Sequence, residues 1–263
     1  MIFTYIIIML VCFMASAAGA ICGMGGGVII KPVLDSISIM DIAAVSFLSG
    51  CTVLGMSAYS VTRNFVTKSI RVQLKTVIPI TIGAILGGIV GKYLFNQLSG
   101  SLLSNFIGAV QSSCLLVLTF GTLVYTIKKK SINTKNCKSA YISIVTGAFL
   151  GIISSFLGIG GGPFNLVILS FLFSMEIKEA VQTSLFIILF SQISSLMVAV
   201  ISNNIPSFHL TILIIMISMG IFGAIFGVKV NKKVNAETVN KLFIGMMIII
   251  ILICCYNIYH YSL

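Results

Sequence analysis

Two short glycine-rich segments are the part of this sequence best suited to binding a solute. The first glycine block, residues 23–27, reads Gly-Met-Gly-Gly-Gly, and the second, residues 158–162, reads Gly-Ile-Gly-Gly-Gly. Each glycine inside a helix destabilises it by about 1 kcal/mol relative to alanine, so a helix should break at both blocks. The start of the helix after each break would present free N–H groups and a partial positive charge, which bind anions. The blocks therefore predict an anion site.

Close packing of helices is the alternative role for these glycines. Packing needs glycine at every fourth position rather than in a block, which favours a binding site at both blocks. The four-residue spacing does occur elsewhere in the chain, and there it predicts close packing. The glycines with that spacing are Gly83, Gly87, Gly91, Gly223 and Gly227.

Polar side chains lie beside both blocks on otherwise apolar segments. A polar group among membrane helices often only hydrogen-bonds to a neighbouring helix, and that role stays open for each residue taken singly. Their shared position beside the blocks favours contact with the solute, whereas Gln111 and Gln192 are expected to be packing contacts. The predicted substrate-binding residues are Gly23, Gly25, Gly26, Gly27, Lys31, Ser46, Gly158, Gly160, Gly161, Gly162, Asn165, Gln182, Thr183 and Ser184.

Lys31 is the most unusual of these residues because it is a cation within an apolar stretch. A charge inside the membrane costs about 3 to 10 kcal/mol unless it is paired, hydrated or able to reach the interface. Lys31 either attracts the anion or has a structural role, in which it reaches the membrane surface or pairs with Asp35 four residues later. Leu166 occupies the corresponding position after the second block, so the glycine motif itself does not require the charge.

Long apolar runs must position these residues. Of 263 residues, 58% are hydrophobic and 8% are charged, whereas soluble domains carry about 25% charged residues. Continuous runs near 20 residues cross a ~30 Å hydrocarbon core as helices. The pattern predicts an all-α polytopic integral membrane protein with about eight membrane helices and two short half-helices. The predicted membrane helices are 2–22, 41–62, 76–95, 102–127, 139–157, 180–201, 208–228 and 242–259, and the half-helices are 27–39 and 163–175.

The charges, cysteines and histidines argue against other classes of protein. Sixteen Lys and Arg against five Asp and Glu give a net charge of +11, but the basic residues lie mainly in short loops and not in a nucleic-acid-binding module. The seven cysteines show no metal-ligand or disulfide spacing. His209 and His260 are far apart, and the acidic residues lie near segment ends. We therefore expect no metal, no cofactor, no nucleic-acid partner and no enzymatic activity.

A recurring order of landmarks divides the chain into two halves. The second glycine block follows the first by 135 residues, Ser184 follows Ser46 by 138, and Gly223 follows Gly87 by 136. A near-constant offset is typical of two homologous repeats. The predicted divisions are a first transmembrane repeat at 1–127, a basic cytoplasmic linker at 128–138 and a second transmembrane repeat at 139–263.

The glycine blocks and their flanks resemble the TauE/SafE sulfite exporter family, also called the toluene sulfonate uptake permease family. The first block runs into Val28-Ile29-Ile30-Lys31-Pro32, and the second lies between Ser155-Phe156-Leu157 and Pro163-Phe164-Asn165. The resemblance covers essentially the full chain. It implies a permease for sulfite, a sulfonate or a related sulfur-containing organic anion, working in either direction.

Three clusters of basic residues indicate how the chain is oriented. They lie at 63–75, 128–138 and 229–241, and cytoplasmic loops are the ones enriched in Lys and Arg. Placing all three in the cytoplasm requires segment 139–175 to start and finish on one side, as a re-entrant hairpin. If each half has one hairpin and three crossings, the second half is inverted relative to the first. A parallel arrangement of four spans per half is the alternative.

The predicted function is transport of a small anion that binds at the paired helix breaks. An anion channel and a non-transporting membrane scaffold are the alternatives. The expected partners are the small anionic solute and the lipid bilayer, and a homo-oligomer stays open. The expected location is the cell membrane, as a multi-pass protein, and in a bacterium the inner membrane.

Overall fold

The computed structural model describes residues 2–37, 40–66, 73–101, 104–129, 133–137 and 139–262. Within these ranges the chain forms ten α-helices and no β-strand, which confirms the predicted all-α fold. In chain order, α1 to α10 are Ile2–Cys22, Gly27–Ile37, Ile42–Val66, Leu74–Ser101, Ser104–Lys128, Ala140–Phe156, Pro163–Phe173, Ile177–Ile201, Leu210–Lys233 and Ala236–Ser262.

Helix length separates the membrane spans from the short segments. In the described part of the chain, seven helices are long and apolar enough to cross a membrane: α1, α3, α4, α5, α8, α9 and α10. The predicted run 139–157 forms α6, whose 17 residues extend about 26 Å. α2 and α7 have 11 residues each, about 17 Å, so neither crosses the hydrocarbon core alone. They are the two predicted half-helices.

Glycine-lined faces hold two pairs of helices in close contact. A methyl group added at Gly91 on α4 would lie 2.9 Å from the Cα atom of Ile152 on α6. A methyl group added at Gly227 on α9 would lie 2.8 Å from the Cβ atom of Ala20 on α1. The other glycines with the four-residue spacing face the same partner helices, and they are Gly83, Gly87 and Gly223. The packing role predicted for all five is confirmed.

The helices pair in one pattern that occurs twice. α4 packs against α6 and α8, and α9 packs against α1 and α3. α3 and α8 pack against each other, as do α5 and α10. If α1 to α5 are matched in order with α6 to α10, each of these pairings corresponds to another of these pairings or to itself. Two copies of one five-helix unit would give this pattern. The division into homologous repeats and their inverted orientation stay predictions that this pattern supports.

Part of the predicted linker runs beside the end of α7. The N–H group of Lys135 donates to the Phe171 carbonyl at 2.8 Å, and that of Cys137 donates to the Leu172 carbonyl at 2.7 Å. Residues 130–132 and 138 of the linker, and residues 67–72 of the first basic loop, lie outside the described residues. The cytoplasmic location of the linker stays a prediction.

Candidate functional site

Both glycine blocks interrupt helices, as predicted: the first separates α1 from α2, and the second separates α6 from α7. Gly23 and Gly25 have φ angles of 70° and 73°, and Gly158 and Gly160 have φ angles of 64° and 73°. Only glycine adopts this left-handed region without strain. The two blocks therefore share left-handed residues at their first and third positions, and a side chain at any of these four positions would strain the turn.

The first block turns the chain back along α1. A methyl group added at Gly26 would lie 2.9 Å from the hydroxyl oxygen of Ser16, and one added at Gly19 would lie 3.0 Å from the Cα atom of Gly26. Ser16 and Gly19 belong to the last two turns of α1. The start of α2 therefore lies beside these turns, and the chain reverses direction between the two helices.

The two blocks meet in the interior of the helix bundle. Gly27 lies against the carbonyl group of Ile159 with no room for a side chain between them. A methyl group added at Gly25 would lie 3.8 Å from the carbonyl oxygen of Gly160. All four of these residues are buried. The starts of α2 and α7, which follow the two blocks, therefore lie in one buried region.

We call this buried region, where the two glycine blocks meet, the centre. Several backbone N–H groups of the blocks are free to donate a hydrogen bond to a ligand there. Between the residues that the structure describes, no hydrogen bond is donated by the N–H groups of Gly25 and Gly26, or of Gly160 and Gly161. These groups lie at the positive ends of the α2 and α7 dipoles. Such an arrangement suits an anion and repels a cation.

One serine from each predicted repeat lies against the glycine block of the other. Ser184 on α8 donates to the carbonyl oxygen of Gly23 at 2.6 Å. Ser46 on α3 faces Gly158, where an added methyl group would lie 2.7 Å from its hydroxyl oxygen. Unlike Ser184, the Ser46 hydroxyl has no hydrogen-bond partner among the described residues. The structure thus brings both predicted serines to the blocks, but only one is already paired.

The other predicted polar residues are placed differently from one another. Asn165 in the first turn of α7 is buried, and its Nδ2 atom donates to the Ser184 hydroxyl at 3.4 Å. Thr183 is buried and has no hydrogen-bond partner in the described ranges. Gln182 accepts a hydrogen bond from Asn64, near the end of α3. Asn165 therefore lies at the centre, whereas Gln182 takes part in a contact between α3 and α8.

Two residues outside the predicted set also line the centre. A methyl group at Gly27 would lie 2.9 Å from the Ser49 hydroxyl oxygen, and one at Gly160 would lie 3.1 Å from the side-chain amide carbon of Gln192. The Ser49 hydroxyl and the Gln192 Nε2 atom are buried without a hydrogen-bond partner in the described part of the chain. Gln192, expected to be a packing contact, thus holds its amide beside the second block. A glutamine in the middle of an apolar span was the sequence signal for it.

Lys31 belongs to a buried network that balances its charge. Its Nζ atom lies 3.0 Å from the Asp35 carboxylate and donates to Gln111 Oε1 at 2.8 Å. Gln111 in turn donates to the carbonyl oxygen of Phe156, where α6 ends, at 2.6 Å. The structural alternative for Lys31, pairing with Asp35, is therefore present. The predicted contact of Lys31 with the solute stays a prediction.

The described residues contain no cluster of three or more His, Cys, Asp or Glu side chains that could hold a metal ion. Neutral donors and backbone N–H groups dominate the centre instead. Apolar helices interrupted at paired positions, with a polar centre where the breaks meet, are a feature of membrane transporters.

Comparison with known proteins gives the same class and narrows it. The sequence profile described as sulfite exporter TauE/SafE matches residues 8–253, so the chain belongs to that family. It is a multi-pass transporter protein of the cell membrane. The resemblance noted from the glycine blocks is confirmed.

Three curated relatives are similar over most of their length. The probable membrane transporter protein YunE of Bacillus subtilis (strain 168) is 26% identical over an alignment 274 residues long. The alignment covers 97% of this chain and 98% of the relative. A probable membrane transporter protein of Methanocaldococcus jannaschii is 26% identical over 247 residues, covering 88% of each chain. One from Haemophilus influenzae is 27% identical over 272 residues, covering 94% and 97%. No solved structure matches the chain.

Proposed function

We propose that the protein is a permease rather than an enzyme, and that it moves a small anion across the membrane. The anion belongs to the class of sulfite, sulfonates and related sulfur-containing organic anions. The family description names sulfite export, and the relatives are named as transporters without a substrate. An anion channel and a non-transporting scaffold are the alternatives.

The meeting of the two glycine blocks is the observation that carries this proposal. Gly27 of the first block lies against Ile159 of the second, so both half-helices begin in the same buried region. Free N–H groups and two positive dipole ends in a buried region attract an anion strongly, because charge interactions are strengthened at low dielectric. A non-transporting scaffold would gain nothing from buried N–H groups without hydrogen-bond partners, because such groups are costly.

The donors around the blocks suit a small oxyanion. A sulfonate or sulfite group carries several acceptor oxygens on one sulfur atom and needs donors from several directions. The backbone N–H groups of the blocks supply some, and the hydroxyls of Ser46 and Ser49 with the amide of Gln192 supply others. Buried donors without partners are costly, and a bound oxyanion would satisfy them.

The paired helix arrangement offers a route for transport. Each half contributes one glycine block and one long helix, α3 or α8, to the same centre. A small rotation of one half against the other would open this centre first to one side of the membrane and then to the other. The solute would stay bound at the blocks while the access changes.

Flux in reconstituted vesicles tests this proposal. We expect purified protein to take up radiolabelled sulfite or methanesulfonate with saturation, and Gly25→Ala to abolish the uptake because an alanine strains the φ angle of 73°. Gly245→Ala is the matched control, since an added methyl group at Gly245 meets nothing within 4 Å. Wild-type flux through the Gly25→Ala protein would show that the first block is not the site.

The mode of flux separates the alternatives. A carrier shows counterflow, in which unlabelled anion inside the vesicle drives labelled anion in against its gradient. A channel shows neither counterflow nor saturation at low millimolar concentration. A scaffold moves none of a panel of sulfite, methanesulfonate and other small anions.

A further inference from the structure

Lys92 is a buried cation that the sequence pattern did not single out. It lies on α4 within the candidate membrane span Lys75–Leu98, and 7% of its surface is exposed. Its Nζ atom lies 4.6 Å from the centre of the Phe95 ring, one turn further along the same helix. That contact is a cation–π interaction, which offsets only part of the lost hydration.

Among the described residues, no carboxylate forms an ion pair with Lys92. All five acidic residues of the sequence lie in the described ranges, and none forms an ion pair with Lys92. Asp35, which is the buried acidic residue of the described ranges, pairs with Lys31. The buried charged side chains of the described residues are Lys31, Asp35 and Lys92, so this interior carries one net positive charge. An unpaired charge in the membrane is costly and typically functional.

Residues close to Lys92 lie near the second glycine block, since the Cε atom of Lys31 would lie 3.4 Å from a methyl group added at Gly158. Gly88, one turn earlier on the same face of α4, lies against Ser155 and Ser194. Ser155 precedes the second block by three residues, and its hydroxyl is buried without a partner in the described part of the chain. Lys92 is also close enough to Cys51 on α3 and to Lys31 to interact with both electrostatically.

We infer that Lys92 supplies the positive charge that holds the transported anion, and that the bound solute is a monoanion. This inference rests on the proposed transport function and names the charge state of its substrate. A single negative charge brings the sum of these buried side-chain charges to zero, whereas a dianion leaves the sum at one negative charge. Sulfonates and hydrogen sulfite fit this requirement, and sulfate does not.

The charge inference assigns different roles to the two buried lysines. Lys31 has the Asp35 carboxylate and the Gln111 amide as partners, so its charge is balanced within the protein. Lys92 has the Phe95 ring as its one partner within the described ranges, so its charge is available to a ligand. The unpaired hydroxyl of Ser155, and that of Ser154 beside it, are donors that the anion's oxygens would satisfy.

Substrate charge and substitution of Lys92 provide the test in proteoliposomes. Methanesulfonate is a monoanion and sulfate a dianion at neutral pH, so their charges do not vary during the measurement. We expect wild-type protein to transport methanesulfonate and to exclude sulfate. Lys92→Gln should raise the apparent KM for methanesulfonate at least tenfold, Lys92→Arg should retain part of the affinity, and Lys229→Gln, at an exposed position of α9, should behave as wild type.

A stability measurement distinguishes a binding role from a structural one. Without anion, Lys92→Gln should unfold at a higher temperature than wild type in detergent, because the unpaired buried charge is gone. Added methanesulfonate should then raise the melting temperature of wild type but not of the variant. A Lys92→Gln protein that is less stable than wild type, or that cannot be purified, would overturn the inference.

The transport results also separate this inference from the proposed function. Sulfate transport by wild type, or wild-type kinetics in Lys92→Gln while Gly25→Ala is inactive, would sink the inference and leave anion transport intact. The absence of any anion flux in wild type would instead remove both.

Discussion

Gly27, at the start of α2, lies directly against the carbonyl group of Ile159, although the two residues belong to different glycine blocks. The contact leaves no space for a Cβ atom, so it fixes how closely the two blocks approach. The first block connects α1 to α2, and the second connects α6 to α7. This single contact therefore links four helices. Any widening at this point would move the starts of α2 and α7 apart.

Gly27→Ala tests whether this close approach matters. The added methyl group would overlap the Ile159 carbonyl group and come within 2.9 Å of the Ser49 hydroxyl oxygen. We expect the substitution to destabilise the protein by about 1–3 kcal/mol, as overpacking does, and to reduce transport strongly. Thermal unfolding in detergent and vesicle uptake measure the two effects. Gly121→Ala is the control, because an added methyl group there meets nothing within 4 Å.

The serines of the two halves should respond differently to alanine. Ser184 donates to the Gly23 carbonyl, so Ser184→Ala leaves a buried acceptor unpaired and should cost about 1–3 kcal/mol of stability. Ser46 has no partner among the described residues, so Ser46→Ala should leave stability within about 0.5 kcal/mol of wild type. Its effect should be a higher KM for the anion. Equal stability losses in both variants would show that Ser46 is not a free donor.

The Lys31–Asp35 pair predicts a stability effect at Lys31. Lys31→Gln leaves the Asp35 carboxylate buried without its cation, which typically costs about 3–5 kcal/mol. The double variant Lys31→Gln with Asp35→Asn removes both charges and should recover most of that loss. A double-mutant cycle by thermal unfolding measures the coupling. Additive losses at the two positions would mean that the pair contributes little, and would restore the case for Lys31 as a ligand of the anion.

Features that depend on length and local chain chemistry could be predicted from the sequence. The long apolar runs form helices, and glycine blocks that cannot continue a helix break it at residues 23–27 and 158–162. The four-residue spacing that includes Gly87 and Gly91 creates a flat helix face, and that face packs against α6. In each case, neighbouring residues along the chain carry the signal.

Features that depend on how each helix is rotated could not be predicted. Gln182 and Gln192 are both polar residues on α8, yet one contacts Asn64 and the other lies beside Gly160. Gln111, expected to be a packing contact, accepts a hydrogen bond from Lys31. Lys92 lies near the end of a predicted span, where a lysine usually reaches the interface, but the surrounding helices bury it. The sequence shows which residues each helix contains, but it does not show which face of the helix points into the bundle.

The orientation of the two halves is the remaining prediction, and cysteine labelling in intact cells can measure it. In a chain whose other cysteines are replaced by alanine, Cys137 reports on the linker. Asn203→Cys reports on the exposed turn between α8 and α9, and Asn235→Cys reports on the exposed turn between α9 and α10. Inverted halves place Cys137 and position 235 in the cytoplasm, since a hairpin and two crossings separate them. We therefore expect a membrane-impermeant maleimide to label position 203 alone. If Cys137 is protected while position 235 is labelled and position 203 is not, the parallel arrangement holds and the inverted one is wrong.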